Sequence, residues 1–370
     1  MDETQRRVFG QDRRVSFARF MDVALYDPEI GFYTTKGFAG QRGDFLTSPE
    51  VGPLFGAVIA RQLDDYWQQL GSPDVFSVVE LGAGPGTLAR TIAFAAPQCL
   101  PHLRYVAVEL SKSQRLRHGE HLENWHGDIT MTEAEKFCRG EQFTAGFSSC
   151  AVPPKITHGV FLANELFDNL PFDIVRLTND GHFEQLMVDV DEDISTSVAP
   201  IEISGAEADV LRTAQVDQWI PRQRLARQFV DERLVSLEQG FFLAFDYGAT
   251  TNELSQRTNM GWLRTYAQHE KSDLVFADPG TVDITADVAV DQLVLNNPAE
   301  LFVQSDWLRA RGIEQLVEEG KEFWRAHAHA PTTAALVARS RIGEAEALCD
   351  EAGLGSFVVF EWEVKKNDII

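Results

Sequence analysis

Three glycines at alternate positions, Gly82, Gly84 and Gly86, follow directly on the apolar run VFSVVEL (75–81) and open the segment GTLARTIAFAA (86–96). The run reads as a buried strand and the segment after it as a helix. A strand that feeds a helix through such a short link must bend sharply. Glycine is needed there because the bend calls for left-handed backbone and because a ligand can approach a chain that carries no side chain. The start of the following helix, with its unpaired N–H groups, favours a negative group such as a carboxylate. A chain carrying this element has few folds open to it.

The rest of the chain extends the same pattern. LRYVAVEL (103–110), KITHGVFLANEL (155–166) and GFFLAFDYG (240–248) are short apolar runs separated by amphipathic stretches. Strands alternating with helices predict an α/β fold, a doubly wound and mostly parallel sheet covered on both faces. FVVFEWEVKK (357–366) alternates and reads as a late antiparallel strand, at the edge or inserted. Residues 1–72 read as a helical and looped preface that contributes to the site, with a helix from Pro53 whose Leu54, Val58, Ile59, Leu63 and Trp67 recur at helical spacing. Residues 73–370 read as the core, with insertions near 131–153 and 178–235, and DVDEDIS (189–195) as a solvated loop.

The glycines do not fit the dinucleotide pattern G-x-G-x-x-G/A, because the third comes one place early and Thr87 stands where that pattern needs Gly or Ala. This argues against a nicotinamide-dependent oxidoreductase. Glu80 before the bend completes E-x-G-x-G-x-G, with Ala83 between the first two glycines, a pattern associated with S-adenosyl-L-methionine (SAM). Glu109 ends the next strand, where a carboxylate can accept from both ribose hydroxyls. Asp128 in HGDI (126–129) can accept from an adenine amino group, and Ile129 can pack on the ring. The ordered set Glu80, Gly82, Ala83, Gly84, Gly86, Glu109, Asp128 and Ile129 predicts a SAM site.

The methyl acceptor is expected at the mouths of the following strands. FLANELFDNLPFDIV (161–175) places Asn164, Glu165, Asp168 and Asp173 there. Methyl transfer needs positioning more than acid-base chemistry, and carboxylates can orient a cationic acceptor and help remove its proton. Glu165 and Asp168 are the candidates; Asp168 and Asn169 also suit a turn before Pro171. Asp246 and Tyr247 end a later strand and can line the pocket or cap the strand. Tyr266, His269 and Asp283 fall in a loop-rich stretch, with His269 a candidate base. His327 and His329 point to different helix faces, so no metal site is expected.

Net charge is −23, which disfavours nucleic acid and anionic membranes as partners and suits a basic protein segment. The four cysteines have no metal or disulfide spacing, no apolar run reaches about 18 residues, and the start lacks an apolar leader, so a cytoplasmic protein is expected.

Several segments together resemble the MidA-like family of SAM-dependent methyltransferases: SFARFMDVALYDPEIGFYTTKG (16–37), GDFLTSPEVGPLFG (43–56), VVELGAGPGTLA (78–89), ANELFDNLPFD (163–173), DYG (246–248) and TYAQHEKSDLVFADPGTVDIT (265–285). LFVQSDWLRARGI (301–313) extends it. The resemblance implies a Rossmann-like methyltransferase fold with an added helical region, and SAM held through Gly82, Gly84, Gly86 and Glu109. It implies that Thr47, Ser48, Pro49 and Glu50 close over the cofactor and acceptor, and Asn164 joins the cofactor contacts. The family's mitochondrial members are complex I assembly factors associated with arginine methylation, which implies a protein-arginine acceptor here. A small-molecule methyltransferase and a non-catalytic SAM-binding assembly factor stay open as alternatives.

Overall fold

The computed structural model describes residues 3–35, 47–191, 194–267, 270–272 and 279–365, with the side chains of 266, 267 and 270–272 left aside. The chain forms two compact units. One comprises residues 39–165, 233–246 and 299–370, the other residues 1–38, 166–232 and 247–298.

The first unit is built on an eight-stranded sheet. Its strands are β1 (Phe76–Leu81), β2 (Leu103–Val108), β3 (Trp125–Asp128), β4 (Gly146–Cys150), β5 (His158–Asn164), β6 (Gln239–Asp246), β7 (Glu300–Val303) and β8 (Val358–Val364). They lie side by side in the order β7-β8-β6-β5-β1-β2-β4-β3. Pairing is parallel from β6 through to β3, and β8 runs antiparallel to both β6 and β7. All residues of β1 and β2 are buried, which is why these strands read as unbroken apolar runs. Helix α1 (Pro53–Gln69) starts on a proline that needs no N–H partner and buries Leu54, Phe55, Val58, Ile59, Leu63 and Tyr66. Tyr66 stacks on Phe241 of β6 with ring centroids 4.0 Å apart. Helix α2 (Thr87–Ala95) follows the glycine bend and buries Leu88, Ala89 and Ile92. These side chains share one core with both central strands.

The second unit has its own cores. A five-stranded antiparallel sheet of Arg14–Ser16, Asp173–Leu177, Phe183–Val190, Ile194–Ile201 and Trp219–Arg222 is accompanied by a three-stranded one of Leu263–Ala267, Glu270–Ser272 and Asp283–Ala286. Helix Phe17–Tyr26, capped by the Ser16 side chain, packs Phe17, Phe20, Met21 and Leu25 into a cluster with Phe172, Ile174 and Trp262.

Two boundaries differ from the sequence reading. Residues 131–153 are no insertion, because Gly146–Cys150 is a strand of the main sheet between β2 and β3. Its residues GFSSC carry little apolar signal, since small side chains suffice under the covering helix Met131–Cys138. The division into a preface up to residue 72 and a core after it is drawn differently too: residues 1–38 belong to one unit and 39–72 to the other. The late antiparallel strand is inserted between two others, one of the two placements that its sequence left open.

Candidate functional site

The bend after β1 is held from several sides within the first unit. Gly82, Gly84 and Gly86 have φ of 69°, 52° and 76°, the left-handed region that glycine enters at no steric cost. The Ala83 N–H donates to the Val108 carbonyl at 2.9 Å, which fixes the bend to the end of β2. The glycines serve different ends. A side chain at Gly84 would meet nothing within 4 Å, so this residue presents a bare face to open space. At Gly86 a Cβ would lie 3.0 Å from the His118 ring. Gly86 is therefore a glycine because a neighbouring side chain fills the place of its own. Gly86 caps α2 without a side-chain hydrogen bond, leaving the N–H groups of its first turn available to an anion.

Two carboxylates flank the bend. Glu109 accepts the Gly84 N–H at 3.0 Å on Oε2 and the Ser111 N–H at 2.8 Å on Oε1. Burial raises its pKa, against the pull of those N–H donors and of Arg115. Glu80 is buried on β1, and the Tyr105 hydroxyl donates to its Oε2 at 2.8 Å. Burial pushes the Glu80 carboxyl up to about 8, because the Tyr105 hydrogen bond and Arg90 offset only part of the desolvation.

Asp128 ends β3, and both its oxygens accept from Arg115 Nε at 3.0 Å. The same guanidinium donates through Nη1 to the Glu109 and Leu110 carbonyls at 2.7 and 2.8 Å. The Ile129 N–H donates to the Ser149 carbonyl at 2.8 Å. Glu80, Ala83, the three glycines, Glu109 and Asp128 thus gather around the carboxyl ends of β1, β2 and β3. Sequence reading missed Arg115, His118 and Tyr105. The cationic RLRH (115–118) one turn after Glu109 was the available signal, since buried carboxylates call for donors.

Asn164 ends β5; its Nδ2 donates to Glu165 Oε1 at 3.1 Å, and its Oδ1 is buried without a partner among the described residues. Glu165 has φ of 50°, a costly conformation for a side chain of its size, and its N–H donates to the Phe245 carbonyl at 2.8 Å. Asp246 ends β6 fully buried, opposite Val358 of β8. Thr47 caps the short helix Ser48–Val51, which includes Pro49 and Glu50; the Ser48 hydroxyl donates to Gln304 at 3.2 Å. These residues all belong to the first unit.

Asp168 and Tyr247 belong to the second unit, where the Tyr247 hydroxyl donates to Asp168. Asp283 is also buried there, accepting from the Tyr33 hydroxyl at 2.8 Å and from Asn169 Nδ2 at 3.4 Å. The candidate base His269 lies outside the described residues.

A strand, a left-handed glycine bend, a helix start without a side-chain cap and a carboxylate on the next strand fit an adenosyl ligand with a carboxylate tail. Known proteins agree. The family model for S-adenosyl-L-methionine-dependent methyltransferases matches residues 58–300. The protein arginine methyltransferase NDUFAF7 homolog of Drosophila melanogaster, mitochondrial, is 28% identical over 300 residues, covering 74% of this chain and 64% of its own. The mitochondrial protein arginine methyltransferase NDUFAF7 of Homo sapiens is 28% identical over 293 residues, covering 74% and 63%. The chain thus spans a little under two thirds of the length of these relatives. A crystal structure from Burkholderia thailandensis bound to S-adenosyl-homocysteine superposes with a TM-score of 0.72 at 24% identity, covering 95% of this chain and 88% of that one, and shares the fold. The mitochondrial names of the curated relatives overturn the expectation of a cytoplasmic protein. Among the described residues no helix is long and apolar enough to cross a membrane.

Proposed function

This chain belongs to the S-adenosyl-L-methionine-dependent methyltransferase family whose model it matches, and from that premise we propose that it methylates a protein, at an arginine side chain. The observation that carries the methyl-transfer reading is the grip of Glu109 on the Gly84 N–H beside a glycine face that opens onto free space. When bound, SAM supplies an electrophilic methyl group. Gly82, Ala83, Gly84 and Gly86 take its amino-acid end against bare backbone, Glu109 its ribose, and Asp128 and Ile129 its adenine. Asn164 and the segment Thr47, Ser48 and Glu50 border the same cradle.

The arginine acceptor is supported by the names of the curated relatives and by the carboxylates Glu165 and Asp246 at the ends of the neighbouring strands β5 and β6. A guanidinium is a weak nucleophile because its lone pair is delocalised. Carboxylates that fix its plane and take up a proton answer that need. Glu165 and Asp246, both in the first unit, are assigned this work. The overall charge of −23 favours the approach of a basic segment of a partner protein.

The test is incubation of the purified protein with methyl-labelled SAM and cell extract, followed by acid hydrolysis of the labelled protein. Label recovered as methylarginine is expected, and it should fall by about a hundredfold with Glu165→Gln while binding of S-adenosyl-homocysteine persists. Label found only in small metabolites, or none at all in the presence of measurable cofactor binding, rules the acceptor out.

A further inference from the structure

We propose that His118 is a positioning residue of the cofactor cradle, which locks the glycine bend from behind so that the inner face of Gly84 stays bare and correctly aimed. The inference rests on the reading that this bend holds the cofactor.

His118 is 1% exposed, and its Nε2 lies 2.7 Å from the Gly84 carbonyl oxygen. A carbonyl can only accept, so Nε2 carries the proton and Nδ1 is the bare nitrogen. The neutral ring is the favoured form, since burial lowers its pKa and the nearby Arg90 and Arg115 oppose a further positive charge. The Gly84 residue is then gripped at both ends: Glu109 takes its N–H and His118 donates to its carbonyl. The next carbonyl, of Pro85, is held by Arg90 Nη1 at 2.7 Å. The His118 ring also occupies the place where a side chain at Gly86 would lie.

The strand before the bend is secured independently, by parallel pairing of β1 with β2 and β5. What His118 adds is the orientation of a left-handed peptide that would otherwise pay its ordering cost when the ligand binds.

The experiment measures the affinity for S-adenosyl-homocysteine by calorimetry in wild type, His118→Ala and His118→Gln. The glutamine amide nitrogen can stand close to the position of Nε2 and donate to the same carbonyl. His118→Ala is expected to weaken binding by about tenfold, and His118→Gln to recover most of the loss, to within about threefold of wild type. If His118→Ala does not fold, His118→Met fills the space without a donor and is compared with His118→Gln in the same way. The proposal is overturned if the donor-less variant binds as wild type does, or if a folded His118→Gln binds no better than it. A wild-type protein that fails to bind at all defeats the cofactor reading itself, a result distinct from either.

Discussion

Glu109 reaches Gly84 and Ser111 with separate oxygens, at 3.0 and 2.8 Å, so that one carboxylate ties the bend after β1 to the turn after β2. Charge-assisted bonds of this kind are about twice as strong as neutral ones. Glu109→Ala should weaken binding of S-adenosyl-homocysteine by roughly a hundredfold, because both N–H groups lose their acceptor as well as the ribose its partner. Glu109→Gln keeps one carbonyl acceptor and should fall between. Calorimetry decides; an alanine variant within threefold of wild type contradicts the assignment.

Alanine at Gly84 and at Gly86 should separate binding from stability. Both substitutions force a left-handed alanine at a cost of about 1–2 kcal/mol. Only Gly86→Ala also drives a methyl group against the His118 ring. It should melt several degrees lower than Gly84→Ala, whereas Gly84→Ala, whose new methyl projects into open space, should lose more cofactor affinity for its loss of stability. Thermal melts paired with calorimetry read both quantities, and the reverse order would refute the distinction drawn between the two glycines.

Glu80 makes the free protein sensitive to alkali. Its carboxyl is pushed up to about 8 in the folded state by burial, against an ordinary value of 4.5. The folded state therefore holds the proton more tightly. The stabilisation from this group is fully present below pH 4.5 and is lost as the pH rises through about 8. The slope is at most about 1.4 kcal/mol per pH unit. Denaturant titrations at pH 6 and pH 9 should show the wild type losing more stability than Glu80→Gln, whose amide cannot ionise. Parallel pH profiles would show that Glu80 is already charged in the folded state.

Arg115 joins Asp128 to the Glu109 and Leu110 carbonyls through a fork of N–H groups that an ammonium cannot reproduce. Arg115→Lys should therefore behave nearly as Arg115→Ala does, each weakening S-adenosyl-homocysteine by about tenfold or more through a misaimed Asp128. Full affinity in the lysine variant would mean that charge alone suffices there.

The strands Phe76–Leu81, Leu103–Val108, His158–Asn164 and Gln239–Asp246 were legible because they are almost wholly buried and announce themselves as unbroken apolar runs; the more exposed Trp125–Asp128 and Glu300–Val303 do not. Gly82, Gly84, Gly86 and Glu109 were legible for a related reason: backbone strain and ligand chemistry limit which residues can stand there. Gly146–Cys150 was not, since a strand whose residues, Phe147 apart, are small has no hydrophobic period to read. His118 and Arg115 were missed because their meaning lies in whom they touch, across loops that only the fold brings together. Asp168 and Asp283 were only half visible, one as an acid near a strand end and the other in a loop-rich stretch; their tyrosine partners, Tyr247 and Tyr33, come from distant parts of the chain.

The strand Val358–Val364 follows in sequence every strand it joins, yet it stands between Gln239–Asp246 and Glu300–Val303. During synthesis Gln239–Asp246 therefore waits with one unpaired backbone edge, and Glu300–Val303 with no strand partner at all, until this segment arrives. A chain truncated before Val358 should keep the glycine bend in its sequence and still fail as a soluble protein, because β6 would offer its open edge to other chains. The last stretch of this unit acts as the keystone that makes the product of all the earlier ones safe to release.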